Sequence, residues 1–134
     1  MSTDRNDTLL SALKARVDAL YLNYIFPVLA TVRVGKAAEA VRFEDELRAA
    51  AERSGVILRR YILPADTAQA DIEALIRQMN ADALLPALLL VQPLPPQMDA
   101  AALQALIAPE KAMEALACPT LLQRAIDAAE RNAT

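Results

Sequence analysis

The sequence predicts an α/β fold, three-layer α-β-α, with a small and mostly parallel sheet. Three observations predict it. Short apolar runs at Val28–Val34, Val56–Ile62 and Leu88–Gln92 have the length and branched content of buried strands. Longer stretches around them carry apolar residues three and four apart, the period of helices buried on one side. Strands and helices alternate, and strands joined through helices pair in parallel. No internal repeat or low-complexity linker interrupts the pattern, so residues 1–134 read as one domain.

Taken in order, Leu9, Leu10, Leu13, Val17, Leu20, Tyr21 and Tyr24 mark a first helix, with Asp7 or Thr8 as its expected N-cap. Pro27 ends the helical option, and the first strand runs to a turn at Gly35. A helix from about Lys36 to Ser54 follows, stopped by Gly55 in the usual glycine position after a helix. The second strand leads into Leu63-Pro64-Ala65-Asp66-Thr67, a turn with Asp66 or Thr67 as the expected cap. Ala70 to Asn80 is helical, with Ile72, Leu75, Ile76 and Met79 on its buried side. After the third strand, Pro93-Leu94-Pro95-Pro96 forms a rigid loop. Two helical pieces, Asp99–Ile107 and about Pro109–Ala117, precede a last helix from Thr120 to about Arg131, whose inner face carries Leu121, Leu122 and Ile126.

Composition narrows the chemistry. Hydrophobic residues make up 55% of the chain but aromatic ones only 4%, so aliphatic side chains must build the core. Fourteen basic against seventeen acidic residues give a net charge of −3, without the basic face that nucleic acid requires. There is no histidine, which removes the Ser–His and Cys–His pairs and the commonest general base. One cysteine, Cys118, makes neither an internal disulfide nor a thiol metal cluster, and it reads as a small buried residue. No metal or cofactor is expected. The polar N-terminus is unlike a signal peptide, and no apolar run approaches the roughly 20 residues of a membrane helix. A cytoplasmic protein without nucleic-acid or membrane partners is the expectation.

The loop residues carry more information than the order of elements. Pro27-Val28-Leu29-Ala30 through Val34-Gly35, Gly55-Val56, Leu63-Pro64-Ala65-Asp66-Thr67, Asn80-Ala81-Asp82, Val91-Gln92-Pro93-Leu94-Pro95 and Ile107-Ala108-Pro109-Glu110-Lys111 occur in this order. Together, over about Pro27 to Glu114, they resemble the N-terminal catalytic domain of methylenetetrahydrofolate dehydrogenase/methenyltetrahydrofolate cyclohydrolase. The resemblance implies a Rossmann-like topology without a dinucleotide site. It also implies a folate cleft facing a following nicotinamide-binding domain. The family's essential tyrosine and lysine lie four residues apart on the helix after the first strand, where one turn places both on one face.

The resemblance puts the tyrosine position at Phe43, the lysine position at Leu47 and a preceding serine at Ala40. The glutamine that supports the lysine is retained as Gln92. In the family's Asp-Val-Asp-Gly segment the second acidic residue falls on Glu114, the first on Ala112 and the glycine on Ala115. Ala117-Cys118-Pro119-Thr120 resembles the family's Pro-Cys-Thr-Pro, reached through an internal deletion. No Rossmann segment precedes Thr134, which sets the expectation of a stand-alone domain.

The expected function is therefore a pseudoenzyme of one-carbon metabolism, with no catalytic residue. It would act by binding a protein, a second copy of itself or a folate-like small molecule. Phe43, Gln92 and Glu114 are the candidate ligand contacts. Gln92 has a second reading as a strand-end residue bonding loop backbone, and Glu114 as a helix-surface acid. The alternative function is a subunit of a split folate enzyme retaining some folate binding or activity. Lys36 reads as a solvated turn lysine, Arg48 as the i,i+4 partner of Glu44, and Arg59-Arg60 as strand charge. The tyrosines Tyr21, Tyr24 and Tyr61 are expected to pack with their hydroxyls at the boundary. Ala40, Phe43, Leu47 and Ala50 form an apolar stripe where the family has a polar site. Either that cleft has closed, or an exposed apolar patch survives as a partner surface.

Overall fold

The computed structural model describes residues 2–133. The elements are α1 (Ser2–Leu22), β1 (Val28–Val34), α2 (Ala38–Ser54), β2 (Ile57–Leu63), α3 (Gln69–Asn80), β3 (Ala87–Leu90), α4 (Ala100–Leu106) and α5 (Cys118–Ala133). All three strands are parallel, in the order β2-β1-β3. β1 is central and buried along its whole length, and its run is apolar except at Thr31 and Arg33.

Side-chain alternation divides the core in two. Leu29, Ala87, Leu89 and Val91 point to one face, where they meet Leu13 and Val17 of α1, Leu47 and Ala51 of α2, and Leu122 and Ile126 of α5. Val28, Ala30, Val32, Leu88 and Leu90 point to the other, against Ile72 and Ile76 of α3 and Leu103 of α4. The result is the expected three-layer α-β-α arrangement. The residues predicted for the inner faces of α3 and α5 lie there, with Leu75 only partly buried.

Several local expectations fail, each for a physical reason. α1 begins well before Asp7, so neither Asp7 nor Thr8 caps it; Asp7 instead pairs with Arg53 of α2. Asp66 and Thr67 do not cap α3, whose N-cap is Ala68; the Thr67 hydroxyl donates to the Pro64 carbonyl at 2.6 Å and closes the turn. Arg48 pairs with Glu52 at 3.0 Å rather than with Glu44, because Glu44 points inward. Tyr24 is 84% exposed instead of packed, at a positive φ of 59° that turns the chain after α1. Tyr21 does sit at the boundary: its hydroxyl donates to the Gly55 carbonyl at 2.8 Å and its ring meets Phe26 edge-on.

The helix expected at Pro109–Ala117 is absent. The Leu88 N–H donates to the Lys111 carbonyl at 2.8 Å and the Met113 N–H to the Leu88 carbonyl at 3.0 Å. The segment bridges to the outer edge of β3 through Ala112, supplying partners that the buried edge strand would otherwise lack. Lys111 is buried and donates to the Met79 and Asp82 carbonyls at 2.9 and 2.6 Å, closing the end of α3.

Gly55 ends α2 as expected, in the left-handed conformation with its N–H donated to the Ala51 carbonyl. A Cβ there would meet Val17 Cγ1 at 3.0 Å. Gly55→Ala should therefore destabilise the protein by about 1–2 kcal/mol from the backbone alone. Urea denaturation would measure it, with the transition midpoint lowered and the slope unchanged.

Candidate functional site

In an open parallel sheet, ligands collect outside the carboxyl ends of the strands. Three loops meet there. Gly35 follows β1 and donates its N–H to the Leu63 carbonyl at 2.8 Å. Pro64–Asp66 follow β2, and Gln92–Gln97 follow β3, with Gln97 Nε2 donating to the Ala65 carbonyl at 2.8 Å. A cavity of about 550 Å³ opens between them, lined by Gly35, Lys36, Asp66, Leu94 and Pro95 among others.

The α2 face at Ala40, Leu47 and Ala50 is closed. Ala40, Leu47 and Ala50 are buried, and Leu47 is 0% exposed. Phe43 is half-buried and packs against the same core. α5 lies against α1, α2, β1 and β3 and supplies Leu121, Leu122, Ala125 and Ile126 to that core. Arg16 of α1 ties α5 down through Asp127 at 2.8 Å and Glu130 at 2.5 Å. The hydrogen bond that Arg16 donates to Asp127 leads in raising the Arg16 pKa above its ordinary value.

The candidate ligand contacts lie apart from one another in kind. Gln92 is exposed just beyond β3, and its side chain makes no hydrogen bond among the described residues, so the loop-bonding reading fails. Glu114 is exposed in the loop before α5, not on a helix. It lines a polar depression of about 380 Å³ with Thr120, Arg124 and Asp127, which includes neither Phe43 nor Gln92. Cys118 is half-buried at the start of α5. Burial, then the charge of Glu46, pushes its thiol up from the ordinary value and disfavours the reactive thiolate. Among the described residues no cluster of three His, Cys, Asp or Glu has the geometry to hold a metal ion.

A buried polar cluster was missed in the sequence. Glu44, with 2% of its side chain exposed, accepts from Arg33 Nε at 3.1 Å and from the Thr31 hydroxyl at 3.4 Å. Arg60 Nη1 lies 3.7 Å from the same carboxylate, and Arg33 Nη1 donates to the Gly35 carbonyl at 2.6 Å. A signal was present: Glu44 interrupts the inner stripe of α2 between Ala40 and Leu47, and Arg33 interrupts an apolar strand.

This arrangement is an α/β domain with its loops gathered at one end of a small parallel sheet, as in folate-dependent enzymes of the resembled kind. The model of the tetrahydrofolate dehydrogenase/cyclohydrolase catalytic domain matches residues 3–114, and the chain belongs to that family. The bifunctional protein FolD of Heliobacterium modesticaldum is 34% identical over 78% of this chain and 33% of its own. The chain thus spans about a third of the length of such relatives. The FolD structure from Campylobacter jejuni superposes with a TM-score of 0.78 at 23% identity, over 81% of this chain and 39% of that one. The Trypanosoma brucei enzyme, solved with NADP and an inhibitor, gives 0.76 at 26% identity, over 81% and 37%.

The Arg33–Glu44 pair yields a double-mutant test. Glu44→Leu strands the buried Arg33 guanidinium and should cost about 3–5 kcal/mol, while Arg33→Leu leaves Glu44 with Arg60 at 3.7 Å and should cost less. The double variant Arg33→Leu/Glu44→Leu should recover most of that loss. Chemical denaturation of the three variants gives the coupling.

Proposed function

We propose that this chain is a non-catalytic homologue of the folate dehydrogenase/cyclohydrolase catalytic domain, which works by binding a small ligand or a protein. The observation that carries this reading is Leu47. It occupies the position of the family's essential lysine, cannot exchange a proton, and is 0% exposed. General acid–base catalysis typically supplies about 10²–10⁴-fold, and that contribution has no donor here. Phe43, at the tyrosine position, keeps an aromatic surface without the hydroxyl.

A folate-like molecule remains the ligand class suggested by kinship, with Phe43, Gln92 and Glu114 as its proposed contacts. Protein association is supported by a different surface from the one expected. The α2 stripe is covered, whereas Tyr24, Phe26 and Leu84 are exposed around a groove at the opposite, amino end of the strands.

Purified protein incubated with methenyltetrahydrofolate should give no hydrolysis above the uncatalysed rate, followed by absorbance. Turnover that disappears in Gln92→Ala would overturn the reading. Reinstating the lysine alone should not restore an enzyme. Leu47→Lys places an amine in a sealed core and should cost about 3–5 kcal/mol, seen as a lowered thermal midpoint without gain of activity.

A further inference from the structure

We infer that the cavity between the start of α2 and the ends of β1 and β2 is a binding site for a small anion with an apolar body. The head group would be a carboxylate or a phosphate. The cavity measures about 730 Å³, within the range of small-molecule sites. It includes none of Phe43, Leu47, Gln92 and Glu114, so it stands apart from the folate reading.

Strand register builds its floor. Thr31 pairs with Arg60 and Arg33 with Ile62, so all four side chains project to the face beneath α2. One buried carboxylate, Glu44, serves two guanidinium groups there, Arg33 at 3.1 Å and Arg60 at 3.7 Å. Two permanent cations against one anion leave a positive charge uncompensated in a partly desolvated place. Only 10% of the Arg33 side chain is exposed, yet it lines the cavity. Its Nε and Nη1 are engaged by Glu44 and Gly35, and no bond engages Nη2 among the described residues. No fully buried side-chain nitrogen or oxygen lacks a partner among the described residues, so Nη2 is not sealed in protein, and Arg33 is a residue of the cavity wall.

Lys36 lines the same space from the turn after Gly35 and makes no ion pair among the described residues. A fixed guanidinium edge and a mobile ammonium are the pairing that grips a compact anion. Val41, Ile62, Leu63 and Pro64 provide the remaining wall. Ile62 is 51% exposed on the outer strand, an apolar cost that a ligand body would relieve.

The test is a heteronuclear NMR titration of the full chain with benzoate, phenyl phosphate and neutral benzyl alcohol. Benzoate or phenyl phosphate should give saturable shifts at the Gly35 and Lys36 amides and at Arg33 Nε, and the tighter of the two identifies the head group. Benzyl alcohol should bind at least about tenfold more weakly. Lys36→Ala, an exposed change that leaves the core intact, should weaken the anion by about three- to tenfold. Arg33→Leu/Glu44→Leu, which removes the guanidinium together with its carboxylate and leaves only the part-exposed Arg60, should abolish the shifts. The inference is overturned if neither anion saturates by about 10 mM, if benzyl alcohol binds as tightly, or if both variants bind unchanged.

Discussion

The packing of α5 across α1, α2 and the sheet is the contact on which the rest of this molecule depends. Leu121, Leu122 and Ile126 are each 0% exposed, and full burial of such side chains contributes about 1.5–3 kcal/mol apiece. Three of them supply an amount comparable with the net stability of an ordinary domain, about 5–15 kcal/mol. The residues they meet include Leu29 and Leu89 of the sheet and Leu47 of α2. These helix residues lie beyond the segment that matches the family, residues 3–114. The seal and the proposed loss of chemistry at position 47 are thus one matter: a wall that contributes to stability by excluding water leaves no room for a solvated side chain there.

Within that apolar layer the Arg33–Glu44–Arg60 cluster is the exception, and its energetics are lopsided. An intact buried pair contributes little net stability, because desolvation offsets the Coulomb attraction, whereas half a pair is costly. What the cluster does supply is geometry. It ties the second turn of α2 to β1 and β2 at fixed distances, so the start of the helix and the strand ends keep their spacing. The space between those elements owes its shape to this cluster.

Fold and site were legible to different degrees. Val28–Val34 was readable to the residue because a central parallel strand is buried on both faces and is mostly apolar, with Thr31 and Arg33 as its two exceptions. The end of α2 was readable because only glycine tolerates the conformation of Gly55 without cost. Pro109–Ala117 was misread because its helical composition was outweighed by the unpaired edge of β3, a demand set by a strand twenty residues away. Arg48 was assigned to Glu44 on spacing, but spacing along a helix does not reveal which acid faces the sheet. Phe43 and Leu47 stand out as proposed replacements only through kinship. That Leu47 shares one core with α5 is a tertiary fact, which depends on where the last helix docks.

Kinship and site chemistry therefore pull apart in this chain. The proposed loss of proton transfer rests on Leu47, which α2 presents to a closed core. One turn closer to its start, the same helix borders unbalanced positive charge beside Lys36, in a space with apolar walls. A fold can keep its sheet, loops and glycine turns while the chemistry at its strand ends changes, since those parts fix position and not reactivity. Charge placed where the scaffold is rigid can select an anion without transforming it.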